Sequence, residues 1–253
     1  MLRGHAGEPE HVLVTTTLGA PQRRLLGNRP RAAGTEPAPV PTARATLVRA
    51  TPFGDEREAA GWLKQAGEDE IDDALVVLNR VLHLQRTAAA DAFVREVARH
   101  QALIARVGYG EGEEVAHGRW TEATTFPVPR TPRTRRAVTL RPQERLAALL
   151  GGRDVPLAAE ELALRARIDL DAGRRREAAL QLRIALEAGI AELEPWRDSL
   201  AERLADLRDA RETVGAAANA ALQGGIDDAT AEEIDRILGR LEAALRARAL
   251  NQQ

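Results

Sequence analysis

The segment TEATTFPVPRTPRTRRAVTLRP carries Pro127, Pro129, Pro132 and Pro142, and no continuous helix can run through it. A proline inside a helix removes a backbone donor, and its ring collides with the preceding turn. The chain of 253 residues is therefore divided. Four regions are expected: 1–43, an N-terminal strand and a Pro/Gly-rich tail; 44–126, a mainly helical region ending in a Gly-rich loop; 127–140, a Pro/Arg-rich linker; and 141–253, a C-terminal helical-hairpin region.

Before the break, HVLVTTTL alternates as a strand does, with Val12, Val14 and Leu18 on one side. GNRPRAAGTEPAPVPTA reads as an extended linker. ARATLVRATPF offers a second strand, with Leu47 and Phe53 on one face. At Asp55 the pattern turns helical, and Asp55 and Glu58 have capping-box spacing. Helices are expected at 55–66 and from Asp69 on, the second carrying Ile71, Leu75, Leu78 and Leu82. A third is expected at about 88–107, with Phe93, Val97, His100, Ile104 and Val107 on one stripe. Gly108 then suits the residue past a helix end.

After the break the sequence is helical almost throughout. Gly173 separates two helices, and Pro195 suits the first turn of the next. Leu200, Leu204, Leu207, Val214, Ala218 and Ala221 follow heptad spacing as one long helix, with Arg211 interrupting. Thr230 and Glu233 have capping-box spacing before a last stripe of Ile234, Ile237, Leu241 and Leu245. Two long antiparallel helices joined near Gly224 and Gly225 are expected. The fold class is mainly α, built of helical hairpins or a bundle, with a small N-terminal β element.

The stretch LALRARIDLDAGRRREAALQLRIALEAG resembles a single tetratricopeptide unit, at about 162–189. Ala166, Ala178 and Ala185 match the small positions where that family packs its two helices closely. Leu162 and Leu182 match large apolar positions, and Gly173 matches the turn. Arg165 and Asp169 depart from apolar positions, and no proline follows at the usual place. The resemblance implies a close helical hairpin and a protein-binding surface, and no activity.

Several kinds of catalysis lack their residues. The chain has no cysteine, so thiolate and disulfide chemistry are excluded. Ser199 is the only serine, and no G-x-S-x-G elbow surrounds it. Lys64 is the only lysine among 36 basic residues, and no phosphate loop of the G-x-x-x-x-G-K type occurs. A net charge of -2 gives no global attraction for nucleic acid or anionic membrane. HVLVTTTLGA lacks the charged start and unbroken apolar run of a signal peptide, and no run reaches membrane-spanning length. A cytoplasmic protein is expected.

The candidate site is VGYGEGEEVAHGRW. Tyr109, the only tyrosine, and Trp120 bracket Glu113, His117 and Arg119 in a chain that is only 3% aromatic. These five are the candidate partner-binding residues. A phosphate cradle does not fit, because a helix is expected before the glycines and Glu111, Glu113 and Glu114 repel anions. Glu114 and His117 have Glu-x-x-His spacing, but a dimetal bundle needs two such motifs and two further glutamates. No metal and no cofactor are therefore assigned. His100, one turn from Glu96, is read as a core-edge histidine. Arg130, Arg133, Arg135, Arg136 and Arg141 form a basic run without acids or aromatics, an alternative nucleic-acid contact. The leading expectation is a non-enzymatic interaction or scaffold protein using helical surfaces to bind a protein partner, with a homodimer through Leu200, Leu204, Leu207, Ile237 and Leu241. The alternatives are a nucleic-acid adaptor and an enzyme using Glu, His and Arg around 109–120.

Overall fold

The computed structural model describes residues 2–3, 8–19, 40–128 and 142–251. The protein is mainly α, with small β elements near the N-terminus. It divides into two compact units, Met1–Pro132 and Arg133–Gln253. Among the described residues no helix is long and apolar enough to cross a membrane.

In the N-terminal unit, strands β1 (Leu2–Arg3), β2 (Pro9–Leu18) and β3 (Thr42–Arg49) form an antiparallel sheet in that order. Val12 pairs with Val48 and Val14 with Thr46. Phe53 does not share a face of β3 with Leu47. It lies past the strand end, with its ring centroid 5.3 Å from that of Trp62. Helix α1 (Glu56–Gln65) starts where Asp55 accepts a hydrogen bond from the Glu58 N–H at 2.8 Å. Glu58 reaches back to the Gly54 N–H at 2.7 Å, one residue before the usual reciprocal partner. Helix α2 covers Asp69–Ala89.

The helix expected at 88–107 does not form. Ala90 takes φ 50, a left-handed conformation that ends α2. The chain then runs irregularly to a single 3-10 turn at Arg99–Gln101. The Asn79 side chain fixes this path: it accepts from the Val97 N–H at 2.8 Å and donates to the Val97 carbonyl at 3.0 Å. Strand β4 (Ala105–Tyr109) follows, paired with β5 (Glu122–Phe126). Phe93 is 85% exposed and Ile104 60%, and His100 is exposed rather than at a core edge. The apparent helical stripe lost because Val107 finds a ladder partner in Thr124, which no local pattern announces. Region 44–126 is therefore mixed helix and strand, not mainly helical, and its glycines join two strands.

In the C-terminal unit, α3 (Pro142–Leu150) precedes a hairpin of α4 (Ala158–Asp171) and α5 (Arg175–Leu193). Gly173, at φ 73, makes the turn. Ala159, Ala163, Ala166, Ala178 and Ala185 are all buried, which lets the two helices approach closely. Glu192 near the end of α5 accepts from the Ala158 and Ala159 N–H groups at 3.0 and 2.9 Å. A carboxylate thus satisfies two open donors at the start of α4.

The long helix expected across 200–221 is two helices. Residues Arg197–Asp209 form α6 and Arg211–Gln223 form α7, separated at Ala210. The bend sends α6 onto the last helix, α8 (Asp228–Asn251), and α7 onto α5. Instead of a two-helix hairpin at Gly224 and Gly225, α5 and α8 each pack against α4, α6 and α7 as well as each other. The α8 start is capped by Asp227, which accepts from the Thr230 N–H at 2.8 Å, and not by Thr230. Leu200, Leu204, Leu207, Ile237 and Leu241 are at most 2% exposed. These leucines and isoleucine lie in one chain's own core, so the self-association surface expected through them is not available.

Candidate functional site

Residues 110–121 connect β4 to β5, so the Gly-rich stretch is the connection of a β-hairpin. The Tyr109 carbonyl accepts from the Thr121 N–H at 2.8 Å, which closes its base. A five-residue 3-10 turn, Glu113–His117, sits within it and packs on β2 and β3. Gly108 lies in the strand, not at a helix end. A Cβ there would come within 2.5 Å of the Glu122 carbonyl and 2.7 Å of the Trp120 ring. The bare α-carbon is what allows Trp120 to lie across the ladder. Gly118, at φ 71, closes the 3-10 turn in a conformation side chains disfavour.

The five candidate residues do not converge on one point. The Trp120 indole N–H donates to the Val115 carbonyl at 2.9 Å, inside the loop. The Tyr109 hydroxyl donates to Glu122, its ladder partner, at 3.2 Å. Loss of solvation and this bond to a carboxylate raise the Tyr109 pKa above its ordinary value. Arg119 pairs with Glu114 at 2.8 Å, both side chains more than half exposed. Glu113 and His117 are exposed on the 3-10 turn, with no side-chain hydrogen bond or ion pair among the described residues. The aromatic residues thus organise the hairpin, and its charged residues, Glu113, Glu114, His117 and Arg119, face solvent.

Glu114 and His117 have no further ligand beside them. Among the described residues no three histidine, aspartate or glutamate side chains are grouped to hold a metal. Arg130, Arg133, Arg135, Arg136 and Arg141 lie outside the described residues.

Sequence reasoning passed over a groove in the C-terminal unit. Arg236, Gly239, Arg240 and Ala243 share one face of α8, and Arg203 and Asp206 of α6 face them. The i, i+3, i+4, i+7 recurrence was its available signal.

No protein-family model, curated protein or solved structure matches this chain. The fold defines a class, a mainly α protein of two units.

Proposed function

We propose that the chain is a non-enzymatic protein-interaction protein, with a self-sufficient C-terminal helical unit and an N-terminal unit that a protein partner completes. The observation that carries this reading is the imbalance of burial between the units. Among the described residues, the N-terminal unit buries only Ala59, Leu63 and Ile71 as apolar core. It leaves Phe93 at 85%, Leu103 at 78%, Val76 at 69% and Ile104 at 60% exposed. Covering one such side chain is worth about 1.5–3 kcal/mol, so these residues together favour association. The C-terminal unit also exposes apolar side chains, Leu150 at 80% among them, but around a continuous core running from Ala159 to Leu245; the difference lies in the core.

The resemblance of 162–189 to a tetratricopeptide unit supports the same class of function. A cytoplasmic location belongs to the same proposal and rests on the cysteine-free sequence. The test is recovery of partners from native extract by the whole protein and by Phe93→Asp and Leu103→Asp variants. The expected result is a defined partner held by the parent protein, lost from both variants and retained by a Leu164→Asp control. An identical set on all four proteins overturns the reading.

A further inference from the structure

Most arginines of the C-terminal unit are held by a partner. Arg167 bridges α4 to Glu242 of α8 at 2.9 Å, Arg211 binds Glu187 at 2.8 Å and Arg176 donates to the Ala221 carbonyl at 2.8 Å. Among the arginines described between 142 and 251, only the guanidinium groups of Arg153, Arg203 and Arg240 have neither an ion pair nor a hydrogen bond. Two of these three line one groove of about 230 Å³ between α6 and α8. Arg236, which pairs with Glu233, lines it as well. Gly239 and Ala243 complete the lining. A Cβ on Gly239 would meet nothing within 4 Å, so packing does not demand glycine there. The helix interior accepts a residue that costs about 1 kcal/mol relative to alanine, and the groove stays open over it.

We propose that this groove binds a phosphate-sized oxyanion, free or carried as a phosphomonoester on a larger ligand. Guanidinium groups present paired N–H donors in a plane that match phosphate oxygens, and two of those here are engaged in no ion pair among the described residues. The volume lies below the roughly 300 Å³ at which pockets for drug-sized molecules begin, so the recognised group is an anionic head and not a nucleobase. Asp206 is the one carboxylate in the lining, and among the described residues it makes no ion pair. It accepts a hydrogen bond from the proton that a phosphomonoester retains near its second pKa of about 6. Toward a fully ionised phosphate it is repulsive. The site is independent of the partner surface proposed for the N-terminal unit.

The experiment is calorimetric titration of the full chain with inorganic phosphate, with a phosphoserine peptide and with the same peptide unphosphorylated. Saturable binding of inorganic phosphate is expected. Arg203→Gln and Arg240→Gln each weaken it about tenfold or more, since charge-assisted bonds are lost. Arg153→Gln, whose arginine is also unpaired but lies outside the groove, leaves it unchanged. Asp206→Asn tightens phosphopeptide binding at pH 8, where the phosphomonoester is fully ionised. All four positions are at the surface, and unchanged melting temperatures confirm that the variants fold. Tighter binding of the phosphopeptide than of phosphate, with the same arginine dependence, identifies a carried phosphate; equal binding identifies a free one. Non-saturable binding, or binding that survives Arg203→Gln combined with Arg240→Gln, overturns the proposal.

Discussion

Arg248, 2% exposed, meets the carboxylate of Asp154 at 2.8 Å, and its guanidinium lies 4.9 Å from the centre of the Trp196 ring. The same nitrogen donates to the Val155 carbonyl at 3.3 Å. Arg145 of α3 adds a second contact to Asp154 at 3.4 Å and binds Glu160 of α4. This network ties α3 and the following loop to the end of α8. Removing Asp154 leaves a buried cation without its counter-charge, so Asp154→Ala is expected to cost about 3–5 kcal/mol in denaturant unfolding. Arg248→Met is expected to cost less, because Asp154 keeps Arg145.

The same contact makes the C-terminal unit sensitive to acid. Burial pushes the Asp154 carboxyl upward, but the Val155 N–H, Arg248 and Arg145 outweigh it and hold the pKa below its ordinary value. A depressed folded-state pKa gives stability that is complete above the unfolded value of about 4 and is lost as pH falls through the folded value. Asp227, lowered chiefly by its hydrogen bonds to Thr230, acts in the same direction at the start of α8. Melting temperatures measured from pH 7 downward are expected to fall below about pH 4, and the gap between the parent protein and Asp154→Asn is expected to narrow over that same range.

Gly108 and Gly61 are expected to respond to alanine with opposite signs. At Gly108 the added carbon would strike the Glu122 carbonyl and the Trp120 ring, so the hairpin must open, at a cost of about 1–3 kcal/mol. Gly61 lies inside α1, and a Cβ there meets nothing within 4 Å. Gly61→Ala is expected to stabilise by about 0.5–1 kcal/mol. Thermal melts followed by tryptophan fluorescence check both.

Leu182 has no exposed surface and sits in the core between α4, α5 and their neighbours. Its replacement by alanine is expected to cost about 2–5 kcal/mol. Because the core lies within 157–247, residues 142–251 are expected to fold alone and to melt cooperatively by circular dichroism. A broad, non-cooperative melt of this fragment would contradict that self-sufficiency.

What depends on neighbours a few residues away was legible in the amino-acid order alone. The stripes of α4, α5 and α8, the Asp55 cap, the Gly173 turn and the strand at HVLVTTTL all follow from local period and turn chemistry. Where a segment meets a distant one was settled by long-range packing. Val107 became a strand residue because Thr124 pairs with it, and Trp120 fixed the role of Gly108 by crossing its bare α-carbon. Ala210 divided the heptad, beside the Arg211 that interrupts its pattern, and α5 and α8 each offer a separate surface to the two halves. Of the candidate site, the cluster of unusual residues was legible, but not that its aromatics are engaged within the hairpin. The burial of Arg248 had no signature in its own helix: a cation in an apolar stripe reads as a surface residue until Asp154 and Trp196 are brought against it. Periodicity records which face of an element is apolar, while partner and register are set by packing between residues far apart in the chain.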